Sequence, residues 1–526
     1  MMLLQPSRGT AWPPSRLRFW PSIVALACGL IMSTPSAWAA SPVGDFEDHG
    51  DVGSPKLPGS AAYDADAQEY SLSAAGFNMW GVRDEFHFAW KKLRGDFILQ
   101  ARVSLVGTGV DPHRKLGWMG RSSLDADAPY ADAAIHGDGL TSLQYRRAKG
   151  AITEQVQSTV KGPDFVQLER RGDRYILSAA RFGEIPTACE LTNLVLGDEP
   201  YIGLFLCSHN SNVTEKAVFR DVRIVRPAKP DFVPYKDYIG SILEMLDVES
   251  GSRKTLASSQ KPFEAPNWTP DGNALIYNTS GRDANHRGRI QRFDLRTRKI
   301  ETIDTGFAVR NNNDHVLSFD GTQLGISNHA TTTNQGSGSA IYVLPTQGGV
   351  PRPVTTNIPS YLHGWSPDGK FLVFTGGRNG DYDIYKIPVQ GGDEVRLTDA
   401  KGLDDGPEYS PDGKYIYFNS SRTGAMQLWR MNPDGSGQEQ ITHDDLNNWF
   451  PHISPDGRWI AFVTFPKDVS PTDHPYYKQV LIRLMPTGGG EPKVVAYVYG
   501  GQGTMNVPSW SPNSKRLAFV SNSNLE

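Results

Sequence analysis

The chain has little cysteine, only 3 residues in 526. That excludes a disulfide framework as its main support and leaves no cluster of thiolates for a structural metal. It also lacks a charge excess: 53 basic residues face 57 acidic ones, for a formal net charge of -4. No basic block is dense enough to follow a phosphate backbone, so nucleic acid is not an expected partner. No Gly-x-Ser-x-Gly nucleophile elbow or phosphate-cradling glycine loop occurs. After the N-terminal region no apolar run reaches the roughly 20 residues of a membrane span.

What is present begins with an export signal. Arg8, Arg16 and Arg18 precede an apolar run from Phe19 to Met32, and Ala37 and Ala39 occupy the small-residue positions that a signal peptidase reads. The pattern predicts a signal peptide over residues 1–39 and a periplasmic or secreted protein with no membrane span after cleavage. Cys28 lacks a Leu three residues before it, which argues against a lipid anchor. Cys189 and Cys207 then remain; a bridge between them and a plain buried thiol at Cys207 both stay open.

The C-terminal half repeats one corner: Trp268-Thr-Pro-Asp271-Gly272, Leu317-Ser-Phe-Asp320-Gly321, Trp365-Ser-Pro-Asp368-Gly369, Tyr409-Ser-Pro-Asp412-Gly413, Ile453-Ser-Pro-Asp456-Gly457 and Trp510-Ser-Pro-Asn513-Ser514. The Asp or Asn positions recur every 44 to 57 residues, the period of a four-stranded propeller blade. Pro presets the first turn position, Asp accepts a backbone hydrogen bond and Gly takes a left-handed conformation, so each copy reads as a hairpin corner. Alternating runs such as Lys370–Phe374 and Lys414–Phe418 follow the corners as strands. The sixth repeat ends after two strands, and the segment Ser241–Leu256 has the pattern of the missing pair. A six-bladed ring closed by splicing these pieces is therefore predicted.

These repeats resemble the TolB-type, WD-related β-propeller family over about residues 233–526. The segments Asn447–Gly457 and Tyr499–Pro512 are closest to exported family members loosely named Tol biopolymer transporters. The α/β domain that precedes the propeller in TolB itself has no counterpart here. Residues 44–227 lack the corner period but alternate at Phe86–Trp90, Phe97–Leu105 and Tyr175–Leu177, which predicts an antiparallel sandwich. Met79–Phe88, Lys92–Phe97 and Tyr201–His209 resemble concanavalin A-like jelly rolls, a likeness that implies contact with glycan. The predicted organisation is all-β: signal peptide 1–39, sandwich 44–227, linker 228–237 and six-bladed propeller 238–526. Trp80, Trp90 and Trp118 could stack on sugar rings or pack the core.

Alignment of the corners marks the channel mouth. Five residues before the corner Ser or Thr stand Glu264, Asn313, Tyr361, Asp405, Trp449 and Asn506, a mixture of carboxylate, amide and aromatic suited to a saccharide. Three residues before it, four blades carry Pro and two carry His315 and His363. Glu408, His452 and Gln502 fall nearby. Three functions follow. The first is binding of glycan or another envelope polymer, with Trp449 or Tyr361 exposed in a walled pocket. The second is a carbohydrate-active enzyme, either a hydrolase using Asp405 and Glu408 as acid and base or a lyase. Oligogalacturonate lyases, which these propellers resemble, use a His-rich metal cluster with a Gln, and His452 sits comparably; no confident cofactor follows, and a divalent metal at the mouth stays open. The third is a Tol-Pal-like scaffold that docks envelope proteins.

Overall fold

The computed structural model describes residues 42–525 apart from 282, 284, 333–335 and 379. The expected signal peptide lies outside the described residues. Every regular element among those described is a strand.

Two seven-stranded antiparallel sheets form the N-terminal region. Their facing side chains, including Leu99, Ala101, Leu116, Trp118, Leu143, Val166, Leu168 and Leu204, make one core. Along Phe97–Leu105 and Phe165–Arg171 the intervening residues point the other way, as the two-residue period of a strand demands. That second face meets the propeller rather than water. Phe165 stacks on Tyr497 with ring centroids 3.6 Å apart, Gln167 donates to Gln479 at 2.9 Å, and Gln479 donates to Glu169 at 2.8 Å. Cys189 and Cys207 are free thiols; Cys207 is a buried core residue, so of the two readings the unbridged one holds.

The propeller has five complete four-stranded blades and a sixth assembled from both ends of the domain. Arg516–Ser523 pairs antiparallel with Gly240–Asp247, in register from Gly240 opposite Ser523 to Asp247 opposite Arg516. This splice hides the edge that the C-terminal strand would otherwise expose. At each corner the Ser or Thr hydroxyl donates to the Asp or Asn side chain, at 2.6 Å in Thr269–Asp271 and 2.8 Å in Ser511–Asn513. The same hydroxyl oxygen accepts the N–H five residues on, as from Phe371 to Ser366 at 2.9 Å. The corner glycines sit near φ +70°, and Ser514 takes φ 60° in the copy that lacks Gly.

Glu244 joins the two regions. It is fully buried in the splice strand, where Arg223 from the sandwich reaches it at 2.5 Å, Arg253 at 2.7 Å and the Ser521 hydroxyl at 2.5 Å. The two guanidinium groups hold its carboxyl down at about 2 despite burial.

Candidate functional site

The innermost strands do not run straight. Their pairing slips between Glu264 and Asn267, Asn311 and His315, Leu362 and Gly364, Asp405 and Glu408, and Trp449 and His452. Such bulges re-aim the side chains beside them. Ala265, Gly406 and Phe450 accordingly take φ between 54° and 63°.

The result is a charged cluster from three successive blades. His363 Nε2 lies 3.3 Å from Asp405 Oδ1 and 4.0 Å from Asp314 Oδ1, and its ring stacks on Phe450 at 5.8 Å. Thr375 donates to Asp405 at 2.6 Å. Asn312 donates to Asp314 at 2.8 Å, and His363 and Asp405 each favour the other's charged form. His363 is therefore raised above its ordinary value by Asp405 and Asp314 against the opposing pull of burial, and Asp405 is lowered by the same imidazolium. Asp314 goes the other way. Burial, with Asp405 nearby, pushes its carboxyl up to about 7, although His363 pulls it down. The mouth thus holds a histidine–carboxylate pair in which each partner favours the other's charged form, beside a carboxyl poised near neutrality.

A second layer comes from outside the repeat. The hairpin between Trp459–Phe465 and Lys478–Pro486 brings His474 to 4.0 Å from Asp405, with its ring 4.5 Å from Trp449. Tyr476 from the same hairpin donates to Glu264 at 3.2 Å, and burial raises that carboxyl. Tyr235 from the linker packs edge-on against Tyr476 at 5.4 Å. Asp314, His474, Tyr476 and Tyr235 were not among the residues marked by corner alignment. Asp314 lies one position past the aligned row, and the other three belong to segments without a period.

The aligned residues divide. Asp405, His363 and Glu264 take part in the cluster or its surround. Half-buried Tyr361 lies 6.5 Å from Tyr382. Asn313 is buried with an amide nitrogen that has no partner. Asn506 donates to Gln502 at 3.1 Å and accepts from the Gly503 N–H at 2.8 Å, so it shapes its own loop. His315 faces a strand of the neighbouring blade, with Nε2 3.2 Å from the Ile276 carbonyl, and burial lowers it to about 4.

Three expectations need correction. Trp449 is not an exposed platform; at 0% exposure it is part of the propeller core. Glu408 does not stand open at the mouth: it is buried, its oxygens accept from the Ile453 N–H at 2.9 Å and one lies 2.7 Å from His452 Nδ1. His452 is not a free ligand either, since its Nε2 lies 3.1 Å from the Met505 carbonyl. This pair ties the inner strands Asp404–Tyr409 and Asn447–Ile453 to each other and to the loop that carries Met505. Among the described residues, no three His, Cys, Asp or Glu ligand atoms at the mouth lie within 4.8 Å of one another. A cleft of about 480 Å³ lies elsewhere, beneath the linker, lined by Lys229, Phe232, Tyr238, Gln260 and Leu525 among others.

Six blades and a spliced closure define a six-bladed β-propeller. The family model for the TolB β-propeller domain matches residues 360–473. The uncharacterized protein Atu1656 of Agrobacterium fabrum is 44% identical over 281 residues, covering 53% of this chain and 92% of its own length. A solved structure of a TolB candidate from Agrobacterium tumefaciens is 44% identical, with TM-score 0.50, and covers 54% of this chain and 99% of its own. TolB from Acinetobacter baumannii is 22% identical with TM-score 0.39, over 50% of this chain and 65% of its own. The chain belongs to the TolB-like propeller family.

Proposed function

We propose that this is an exported, periplasmic TolB-like protein whose propeller mouth binds a polar stretch of glycan or another cell-envelope polymer. The observation that carries the reading is a pair of buried polar atoms without partners near the charged cluster: Asn313 Nδ2 and His474 Nδ1. Buried polar groups are nearly always satisfied, so a group left open beside a channel is one that a ligand or ordered water can complete. Hydroxyl-rich chains supply such partners, and His363 with Asp405 offers both a charged donor and a charged acceptor.

In the same reading the N-terminal sheets are a concanavalin A-like jelly roll that widens the binding surface. Trp80 is 41% exposed, on a loop with exposed Phe77 and Val82, and is its candidate for stacking. Trp118 lies in the sandwich core and Trp90 packs on Phe88 at 5.7 Å, so neither offers a free face of that kind.

A second reading is favoured by Asp314. A carboxyl held at about 7 beside an imidazolium is suited to moving a proton at neutral pH, which would make the same mouth a lyase or hydrolase site. Calorimetric titration of the full chain with an oligosaccharide panel, followed by product analysis with and without chelator, separates the readings. Binding without products supports the binder, and products support the enzyme. A panel in which nothing binds removes the sugar reading and leaves the protein-docking scaffold.

A further inference from the structure

Three loops meet at one end of the sandwich and bring together side chains that the channel mouth does not use. The loop between Phe97–Leu105 and Lys115–Arg121 carries Asp111 and His113. The hairpin joining Tyr130–His136 to Thr141–Arg146 carries His136 and Asp138, and the turn after Tyr201–Cys207 carries His209. We propose that His113, His136 and Asp138, with His209 and Asp111 beside them, form a binding site for a zinc-class divalent cation.

The first support is convergence. One ligand atom from each of His113, His136 and Asp138 lies within 4.8 Å of the other two. The His113 ring is 6.0 Å from that of His136 and 5.4 Å from that of His209, and His209 Nδ1 lies 3.1 Å from Asp111. Zinc bonds to imidazole and carboxylate are about 2.0–2.2 Å, which asks the ligand atoms to draw in by roughly an ångström. His113 and Asp138 are exposed and can rotate to do so.

The second support is independent of spacing. His136 is more than nine-tenths buried, and its Nδ1 has no hydrogen-bond partner. Its Nε2 lies 3.0 Å from the Gln144 side-chain amide, whose own oxygen is buried without a partner. Exchanging the oxygen and nitrogen of that amide lets its oxygen accept from the His136 Nε2–H and from the Ser142 hydroxyl 3.2 Å away, and makes the amide nitrogen the atom without a partner. Nδ1, which has no hydrogen-bond partner, then carries the lone pair. A metal-binding histidine commonly donates its second ring nitrogen to an oxygen in this way.

The loops are also braced. Asp138 N–H donates to the Pro112 carbonyl at 2.9 Å, Gly137 N–H to the Arg114 carbonyl at 2.8 Å, and His113 N–H to Asp111 at 2.7 Å. Buried Arg114 pairs with Glu215 at 2.6 Å beneath them. Imidazole with carboxylate and no thiolate favours zinc, nickel or cobalt over calcium or magnesium, which prefer all-oxygen shells.

The test is equilibrium dialysis of the tag-free full chain against zinc ion alone, with bound metal counted and melting followed by circular dichroism. One zinc per chain is expected, with a higher melting temperature that chelator reverses. His136→Ala should weaken binding at least 100-fold. His113→Ala and Asp138→Asn, at exposed positions that leave the fold intact, should each weaken it at least tenfold. His49→Gln, at a separate His49–His87 pair, should leave it unchanged. No retained zinc, binding indifferent to the first three variants, or binding lost in His49→Gln would each overturn the site.

Discussion

Glu244 and Asp314 are both carboxyl groups removed from solvent, one at the seam between sandwich and propeller and the other at the channel mouth, and the fold treats them in opposite ways. Glu244 has two guanidinium groups and a hydroxyl, and is held at about 2. Asp314 shares one imidazolium with Asp405 and is left at about 7. At the seam Glu244 and its two arginines answer one another. The mouth keeps charge and donors unanswered, a cost in stability that is intelligible where something else is to bind.

The largest effects should come from undoing the answered side. Glu244→Ala strands two arginines in the seam and should cost about 3–5 kcal/mol in denaturant unfolding, with faster proteolysis of the linker. Trp449→Ala should cost a similar 3–5 kcal/mol by opening a cavity in the core. An unchanged melting temperature in that variant would return Trp449 to the role of surface platform.

The pH dependence gives a smaller and sharper contrast. A raised carboxyl such as Asp314 contributes stability that is present below its unfolded value, near 4, and lost as pH rises through about 7. Glu244, being depressed, contributes above its unfolded value and loses that contribution as pH falls through about 2. Asp314→Asn should therefore flatten the decline of stability between pH 4 and 7, on the order of 2–4 kcal/mol, and leave the acid limb alone. If melting curves of variant and parent run parallel over that range, the mouth is not poised as described. The smallest effect belongs to Trp80→Ala: unfolding free energy should move by no more than about 0.5 kcal/mol, while any affinity of the sandwich for glycan falls.

The contrast also explains what could be read from the sequence. The corner is local chemistry, with a Ser or Thr hydroxyl, an Asp and a Gly within four residues, so it is legible wherever it recurs. Closure was legible because the last repeat lacks two strands and a stretch after the linker has their pattern. The mouth was legible only in part. Asp405 and Glu264 stand in the aligned row and His363 two positions on from it, but the inner-strand pairing slips by one residue beside Trp449, which lies in the core, and by two beside Asp314, which lies 4.0 Å from His363. Glu408 and His452 look like chemistry in one dimension, and only the approach of the adjoining blades shows them as lacing. His474 and Tyr235 come from segments that no repeat predicts. Along Phe165–Arg171, alternation could not say that the polar face meets a second domain, because a solvated face has the same pattern.

The account rests on the mouth cluster being a charged site that a ligand completes, and the imidazole of His363 reports on it directly. Its ring resonances, assigned by comparison with His363→Gln, should titrate above 6.5 in the free protein and shift when a bound oligosaccharide saturates the mouth. A ring that titrates below 6.5, or one that ignores every oligosaccharide able to bind the protein, would contradict it.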